Sequence, residues 1–105
     1  MEIIDFLKNE DNIIERDGLL IMRKRIQCRD GFSMSVQASV IHHCVPAKNL
    51  KDGKYEKVEV GSIFTKEHLL DPYTENKKDD YPIYPFVPIK VVEKIIKKHG
   101  GIIEQ

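Results

Sequence analysis

The run of two histidines and a cysteine at positions 42–44 contains the side chains of this sequence that are best suited to chemistry. His42 and Cys44 stand two residues apart, which places them on one face of an extended strand, and both are common zinc ligands. Cys28 precedes the adjacent turn, so hairpin pairing would bring a third ligand near. Three residues are candidates for a fourth ligand: His68, His99 and Glu59. Because neither C-x-x-C nor H-x₃-H spacing is present, we prefer the interpretation in which His42 and Cys44 only border the core.

A thiol nucleophile is a second chemical reading of the same run. Cys44 with His42 or His43 as its base would form such a pair, but catalysis also needs an oxyanion hole and a third orienting group. Val45 and Pro46 follow Cys44, which predicts no helix N-terminus there. The glycines stand in turn signals rather than in a phosphate-binding loop. We therefore rank an enzyme last and expect no cofactor.

Two polar stretches are candidates for binding a partner instead. Arg23, Lys24 and Arg25 form a basic run on a strand that we expect to be exposed, suited to an acidic or phosphate-bearing partner. In the next strand, polar positions that could bind a peptide or a nucleotide alternate with apolar ones: Ser33, Ser35, Gln37, Ser39 and His43. Plain solvation and edge protection remain the alternatives for both stretches.

Aromatic residues and prolines are concentrated between positions 73 and 86. Tyr73, Tyr81, Tyr84 and Phe86 all lie in this short segment, and tyrosine supplies contact area at low entropic cost. The segment is a candidate contact surface for a protein partner, unless Tyr84 and Phe86 pack on the final helix. The face formed by residues 33–39 and the strand edges would also suit a homodimer.

Hydrophobic periodicity predicts the elements that position these residues. Ile3, Phe6 and Leu7 share one face of a short N-terminal helix, and Asp17-Gly18 predicts a hairpin between residues 13–16 and a strand over residues 19–28. Strict alternation predicts a half-buried strand over residues 32–40, whose register would carry His42 and Cys44 on the apolar face.

The remaining segments complete a two-layer α+β domain. Residues 55–60 alternate with Val58 and Val60 opposite Tyr55, and residues 83–87, flanked by prolines, suit an edge strand. Residues 72–81 form a polar loop, and residues 88–99 form a C-terminal helix that Gly100 ends. The sequence therefore predicts one domain over residues 1–105, with an antiparallel sheet of three to four strands between a short N-terminal helix and a C-terminal helix.

Charge and composition exclude several classes of function. The 105 residues contain 17 basic and 17 acidic side chains, so the chain lacks the basic surplus of a general nucleic-acid binder. No stretch is long and apolar enough to span a membrane, and residues 1–5 do not resemble a secretory signal. Two cysteines do not make a disulfide framework. We expect a cytoplasmic protein.

Four segments of the chain carry a family resemblance: CRDGFSMSVQASVIHHCVP at residues 28–46, YEKVEVG at 55–61, FVP at 86–88 and HGGI at 99–102. They resemble a family of small proteins encoded by bacteriophages and prophages of Gram-positive bacteria. The resemblance covers most of the chain from about residue 25 onward and brings no activity with it. The family pattern has a tyrosine in place of His43 and an arginine in place of Ala47, so a site at that cluster would be altered here.

The resemblance implies a biological context. Small accessory phage proteins without enzyme motifs often inhibit host defence machinery or join phage replication. The first hypothesis is therefore a non-enzymatic interaction protein, an anti-CRISPR-like inhibitor that binds a host nucleoprotein or defence enzyme. The alternative is a small ligand- or metal-binding domain centred on residues 42–44.

Overall fold

The computed structural model describes residues 1–74 and 80–103. Residues 75–79, the centre of the predicted polar loop, lie outside this description. Helices and strands follow one another in this order: α1 (Ile3–Lys8), β1 (Ile13–Asp17), β2 (Leu20–Arg23), β3 (Ile26–Gln27), β4 (Ser33–Gln37), β5 (Lys57–Gly61), β6 (Tyr84–Pro88) and α2 (Ile89–Lys98). Two short 3-10 helices cover Glu10–Asn12 and His68–Tyr73. In the described part of the chain, no helix is long and apolar enough to cross a bilayer.

Within the described residues, the strands form two antiparallel sheets. A four-stranded sheet has the order β3-β4-β5-β6, and β1 and β2 form a separate hairpin. The α+β class with its two terminal helices is confirmed, as is the hairpin at Asp17-Gly18, where Asp17 pairs with Leu20. Gly18 has a φ of +59°, a left-handed conformation that glycine adopts without steric cost.

The prediction of one strand over residues 19–28 is wrong. The chain leaves the ladder after Arg23 and re-enters a different sheet at Ile26. The Lys24 N–H donates to the Asn12 carbonyl at 2.8 Å, so its backbone bonds to the turn after α1 rather than to a strand. The β1–β2 hairpin is therefore a separate sheet, and the break at residues 24 and 25 separates it from the main sheet.

One face of the main sheet and the two helices share a single hydrophobic core. The predicted alternation in β4 and β5 is confirmed, since Met34, Val36, Val58 and Val60 are fully buried. Helical core residues cover this face, as their spacing predicted: Ile3, Phe6, Leu7, Val92, Ile95 and Ile96. The opposite face of the sheet carries the polar positions of the same strands.

Two details of the strand predictions are wrong. Strand β4 ends at Gln37, and the chain then turns, with the His42 N–H donating to the Ser39 carbonyl at 3.3 Å. Tyr55, expected on the polar face, is only 2% exposed. Its hydroxyl donates to the Lys48 carbonyl at 2.6 Å, so a long-range hydrogen bond makes its burial tolerable.

Candidate interaction surface

Arg23 and Gln37, both predicted to face a partner, are buried at 3% and 4% exposure. Two hydrogen bonds join them: the backbone N–H of Arg23 donates to Gln37 Oε1, and Gln37 Nε2 donates to the backbone carbonyl of Arg23, both at 2.8 Å. This pair attaches the hairpin to the end of β4. The expectation of an exposed basic run is therefore wrong for Arg23, while Lys24 and Arg25 are half-buried.

The tyrosine-rich segment is only partly a surface. Tyr84 is 5% exposed and belongs to the core, and the half-buried Tyr73 packs against it. The side chain of Tyr84, predicted to contact a partner, is therefore not accessible in this structure. Tyr81 and Phe86 are 72% and 44% exposed, so the accessible aromatic area lies next to β6.

The side chains of residues 39–44 are engaged with one another and with the backbone. His42 Nδ1 lies 2.7 Å from Ser39 Oγ, and the Cys44 thiol donates to the Ser39 carbonyl at 3.2 Å. Burial raises the pKa of Cys44, which keeps the thiol protonated. Ser39 is fully buried. Within this segment, the Cys44 thiol therefore bonds to a backbone carbonyl and His42 bonds to Ser39.

The weak metal hypothesis joined Cys28, His42 and Cys44, and the structure separates these residues. Cys28 lies at the turn before β4, where its N–H donates to the Phe32 carbonyl, whereas Cys44 follows the other end of β4. A five-residue strand is about 16 Å long, which is too far for a shared ion. Among residues 1–74 and 80–103, no three His, Cys, Asp or Glu side chains are grouped in a way that could hold a metal.

A cluster centred on His99 was not predicted as a unit. His99 Nε2 lies 2.6 Å from Glu67 Oε1, and His99 Nδ1 lies 2.6 Å from Asp30 Oδ2. Lys98 Nζ donates to Glu67 Oε2 at 3.0 Å, and the His99 ring stacks on Phe32 with centroids 4.1 Å apart. No local pattern indicates these contacts, because 32 residues separate Glu67 from His99.

The electrostatics of this cluster favour the charged imidazolium form of His99. Burial disfavours the charged ring, but hydrogen bonds to Glu67 and Asp30 outweigh it and raise the pKa of His99. Burial also disfavours the Glu67 carboxylate, yet bonds from the Leu69 N–H, His99 and Lys98 lower its pKa. Because carboxylates occupy both ring nitrogens, His99 has no free lone pair for base catalysis. The cluster joins three chain segments structurally.

The accessible candidate is the sheet face opposite the core, called here the open face. Ser35 pairs with Gly61, and Gln37 pairs with Glu59, so these side-chain positions point away from the core. A Cβ on Gly61 would lie 4.0 Å from Ile83 Cγ1, which places the exposed Ile83 side chain over this glycine. The open face comprises nine residues: Arg25, Ser33, Ser35, His43, Glu59, Gly61, Phe64, Ile83 and Phe86.

At one end of the open face, Arg25 and Phe64 form a stacked pair. The Arg25 guanidinium carbon lies 4.4 Å from the Phe64 ring centroid, and Nη2 donates to Ser33 Oγ at 2.9 Å and also to the Ser62 carbonyl. Phe64 is nevertheless 75% exposed. The Arg25 Nε is buried without an acceptor, so its desolvation is not compensated. This end therefore presents a large ring above an arginine held at the sheet.

At the other end, a β-bulge turns Phe86 outward. Val58 pairs with Val87 and Val60 with Tyr84, so two residues of β6 stand opposite Glu59 alone. The Phe86 ring lies 5.6 Å from the ring of His43, an edge-to-face contact. His43 Nδ1 in turn lies 2.9 Å from Glu59 Oε1. His43, like Arg25, is a predicted partner-binding residue that lies at this surface.

Local backbone strain is concentrated on and beside the open face. In the described chain, two non-glycine residues have positive φ angles: Ser62 at 51° and Phe86 at 54°. Such a conformation is costly for a bulky residue. Ser62 directly follows the open-face residue Gly61, and Phe86 lies at the bulge. Phe64 and Ile83, which sequence reasoning missed, are large apolar residues within polar or proline-rich stretches.

Comparison with known proteins adds no assignment. No family model, no curated protein and no solved structure matches this chain. The assignment of the open face as a candidate interaction surface therefore depends only on the geometry described above.

Proposed function

We propose that this protein is a non-enzymatic interaction protein that binds a protein partner with the open face of its four-stranded sheet. One observation carries the proposal: the large exposed apolar side chains of Phe64, Ile83 and Phe86 lie at the margins of a face whose central positions include serines and a glycine. Aromatic residues such as phenylalanine are enriched in protein interfaces, where the side chains that are buried on binding carry most of the affinity.

The irregular backbone around this face supports the same proposal. The positive φ angles of Ser62 and Phe86, and the unsatisfied Nε of Arg25, raise the free energy of the unbound protein. Strained backbone conformations are concentrated at functional sites, where they fix side chains in the orientation that binding requires. The side chains at or next to the strained positions are Phe64 and Phe86.

The finer proposal concerns the nature of the partner. The resemblance of residues 25–105 to small phage and prophage proteins favours a host defence enzyme or nucleoprotein, so that the protein would act as an anti-CRISPR-like inhibitor. The overall net charge of zero favours recognition of a protein surface over recognition of phosphates along a duplex.

Affinity capture with matched variants tests the interaction proposal. The double variant Phe64→Ser/Ile83→Ser removes two apolar side chains, which are 75% and 58% exposed, from the open face. The control Ile14→Ser/Leu19→Ser removes two others of 68% and 58% exposure from the hairpin. We expect the wild type and the control to retain the same host protein and the open-face variant to lose it. Equal retention by all three would overturn the proposal.

Two further measurements address the partner and the oligomeric state. Expression of the wild type in cells with an active defence system should restore infection by a sensitive phage, and the open-face variant should not. Light scattering of the purified protein gives its mass in solution. If a dimer dissociates only in the open-face variant, the partner at this face is a second copy of the chain.

A further inference from the structure

A groove on the other side of the Arg23–Gln37 pair is separate from the open face. It has a volume of about 440 Å³ and lies between α1, the β1–β2 hairpin and residues 49–51. This volume is within the range of small-molecule sites, roughly 300–1,000 Å³. Four cations line it: Lys8, Arg16, Arg23 and Lys51. The one acidic lining residue in the described chain is Glu10.

Arg23 is the unusual member of this set. Arg23 is only 3% exposed, yet none of the described carboxylates pairs with it. Its Nε donates to the Leu7 carbonyl at 3.1 Å and its Nη1 to the Ala38 carbonyl at 2.7 Å. These two carbonyls and the nearby Tyr55 hydroxyl are neutral acceptors, so they leave the guanidinium charge without a counter-ion.

The electrostatic surroundings of Arg23 agree with an uncompensated cation. Burial lowers the pKa of Arg23, and the neighbouring Arg16 lowers it further, against a raising effect from the Tyr55 hydroxyl. Arginine remains charged despite such shifts. An anion that entered the groove would therefore gain an electrostatic interaction in a setting of low dielectric constant.

The rim of the groove adds cations that a ligand could use. Lys51 has no carboxylate partner among the described residues. Arg16 lies 3.7 Å from Glu10, with both side chains more than half exposed, and Lys8 similarly faces Asp5 at 3.4 Å. Exposed pairs of this kind contribute little and can be exchanged for a ligand contact. Apolar side chains complete the wall: Leu7, Ile13, Ile21 and Leu50.

We propose that this groove binds a small phosphorylated molecule, with the phosphate beside Arg23, Arg16 and Lys51 and its less polar portion against Leu7 and Leu50. A phosphate dianion matches several converging cations better than a single carboxylate does. The apolar wall suits an attached ring, so a phosphorylated molecule should bind more tightly than phosphate alone.

Titration calorimetry at low ionic strength, with AMP, inorganic phosphate and adenosine as probes, tests this site. We expect saturable 1:1 binding of AMP, weaker binding of phosphate and no measurable binding of adenosine. Lys51→Glu should weaken AMP binding at least about tenfold. Lys57→Glu makes the same charge change on β5, outside the groove, and should alter the affinity less than about twofold.

The buried arginine supplies a second variant. Arg23→Gln should abolish AMP binding if circular dichroism shows that it folds. If it does not fold, the Lys51→Glu and Lys57→Glu pair decides the matter. Three results would overturn the proposal: no saturable binding of AMP or phosphate, equal affinity of the two lysine variants, or tighter binding of a hexaglutamate peptide than of AMP. The last result would assign the groove to an acidic protein segment.

Discussion

The two faces of the four-stranded sheet are built from the same strands and differ in almost every physical respect. Met34, Val36, Val58 and Val60 fill the core face and are fully buried. The open face has serines and a glycine at its centre and exposed apolar side chains at its margins. The β-bulge in the shared backbone turns Phe86 toward the open face, and the left-handed Ser62 follows the open-face residue Gly61. The comparison separates residues that stabilise the fold from residues that are available to a partner.

The largest expected effect is on the core face. Met34→Ala removes a fully buried side chain and leaves a cavity, so we expect the free energy of unfolding to fall by about 2–5 kcal/mol. Urea denaturation followed by circular dichroism measures the change. A loss below about 1 kcal/mol would contradict the assignment of this face to the core.

A smaller loss of stability is expected at the His99 cluster beside the core. Glu67→Gln keeps an acceptor for the Leu69 N–H but removes the charge that faces His99 and Lys98. We expect a loss of about 1–3 kcal/mol near pH 6. Urea denaturation of both proteins at that pH measures it.

The same cluster predicts a dependence of stability on pH. The His99 pKa is raised above 6.5, so its contribution is complete below pH 6.5 and is lost as the pH rises through the folded pKa. The Glu67 pKa is lowered below 4.5, so its contribution is complete above pH 4.5 and is lost in acid. The melting temperature of the wild type, measured between pH 4 and 9, should therefore be highest between these two pKa values. The profile of Glu67→Gln should be flatter. Identical profiles would contradict a charged His99.

A slight gain in stability is expected where the backbone is strained. Ser62 has a φ of 51°, a conformation that costs a non-glycine residue about 1 kcal/mol, and Ser62→Gly removes this cost. The extra conformational freedom of glycine in the unfolded chain offsets part of the gain. We therefore expect a change between about 0 and +1 kcal/mol in the free energy of unfolding. A clear loss of stability would show that the Ser62 side chain has a role that its contacts do not indicate.

The smallest effect on stability is expected on the open face. Phe64→Ser alters a side chain that is 75% exposed and should change the free energy of unfolding by less than about 0.5 kcal/mol. Partner capture should nevertheless fall. A variant that binds as well as the wild type, or that unfolds, would remove the distinction between the two faces.

Local patterns in the sequence predict a large part of the fold. The Asp17-Gly18 turn, the alternation in β4 and the spacing of Val92, Ile95 and Ile96 in α2 each depend on neighbours within a few residues, and all three are confirmed. Long-range contacts were not predictable in the same way. Gln37 is buried because Arg23 supplies both a donor and an acceptor from fourteen residues away.

The candidate surface was predictable only in part. His43 and Phe86 were identified from residue type, and both lie on the open face. Arg23, Gln37 and Tyr84 were assigned to a partner because polar and aromatic side chains were expected to be accessible, and tertiary packing buries all three. Phe64 and Ile83 lie outside any periodic pattern, so their exposure follows from the path of the chain rather than from their spacing.

Site-specific photo-crosslinking tests the central claim about the open face most directly. A photoreactive phenylalanine analogue replaces Phe64 in one protein and the similarly accessible Ile14 of the hairpin in another, and each is irradiated in the cells that naturally contain the protein. We predict a discrete adduct with one partner protein at position 64 and none at position 14. An adduct at position 14 alone, or no adduct at either position, would contradict the account.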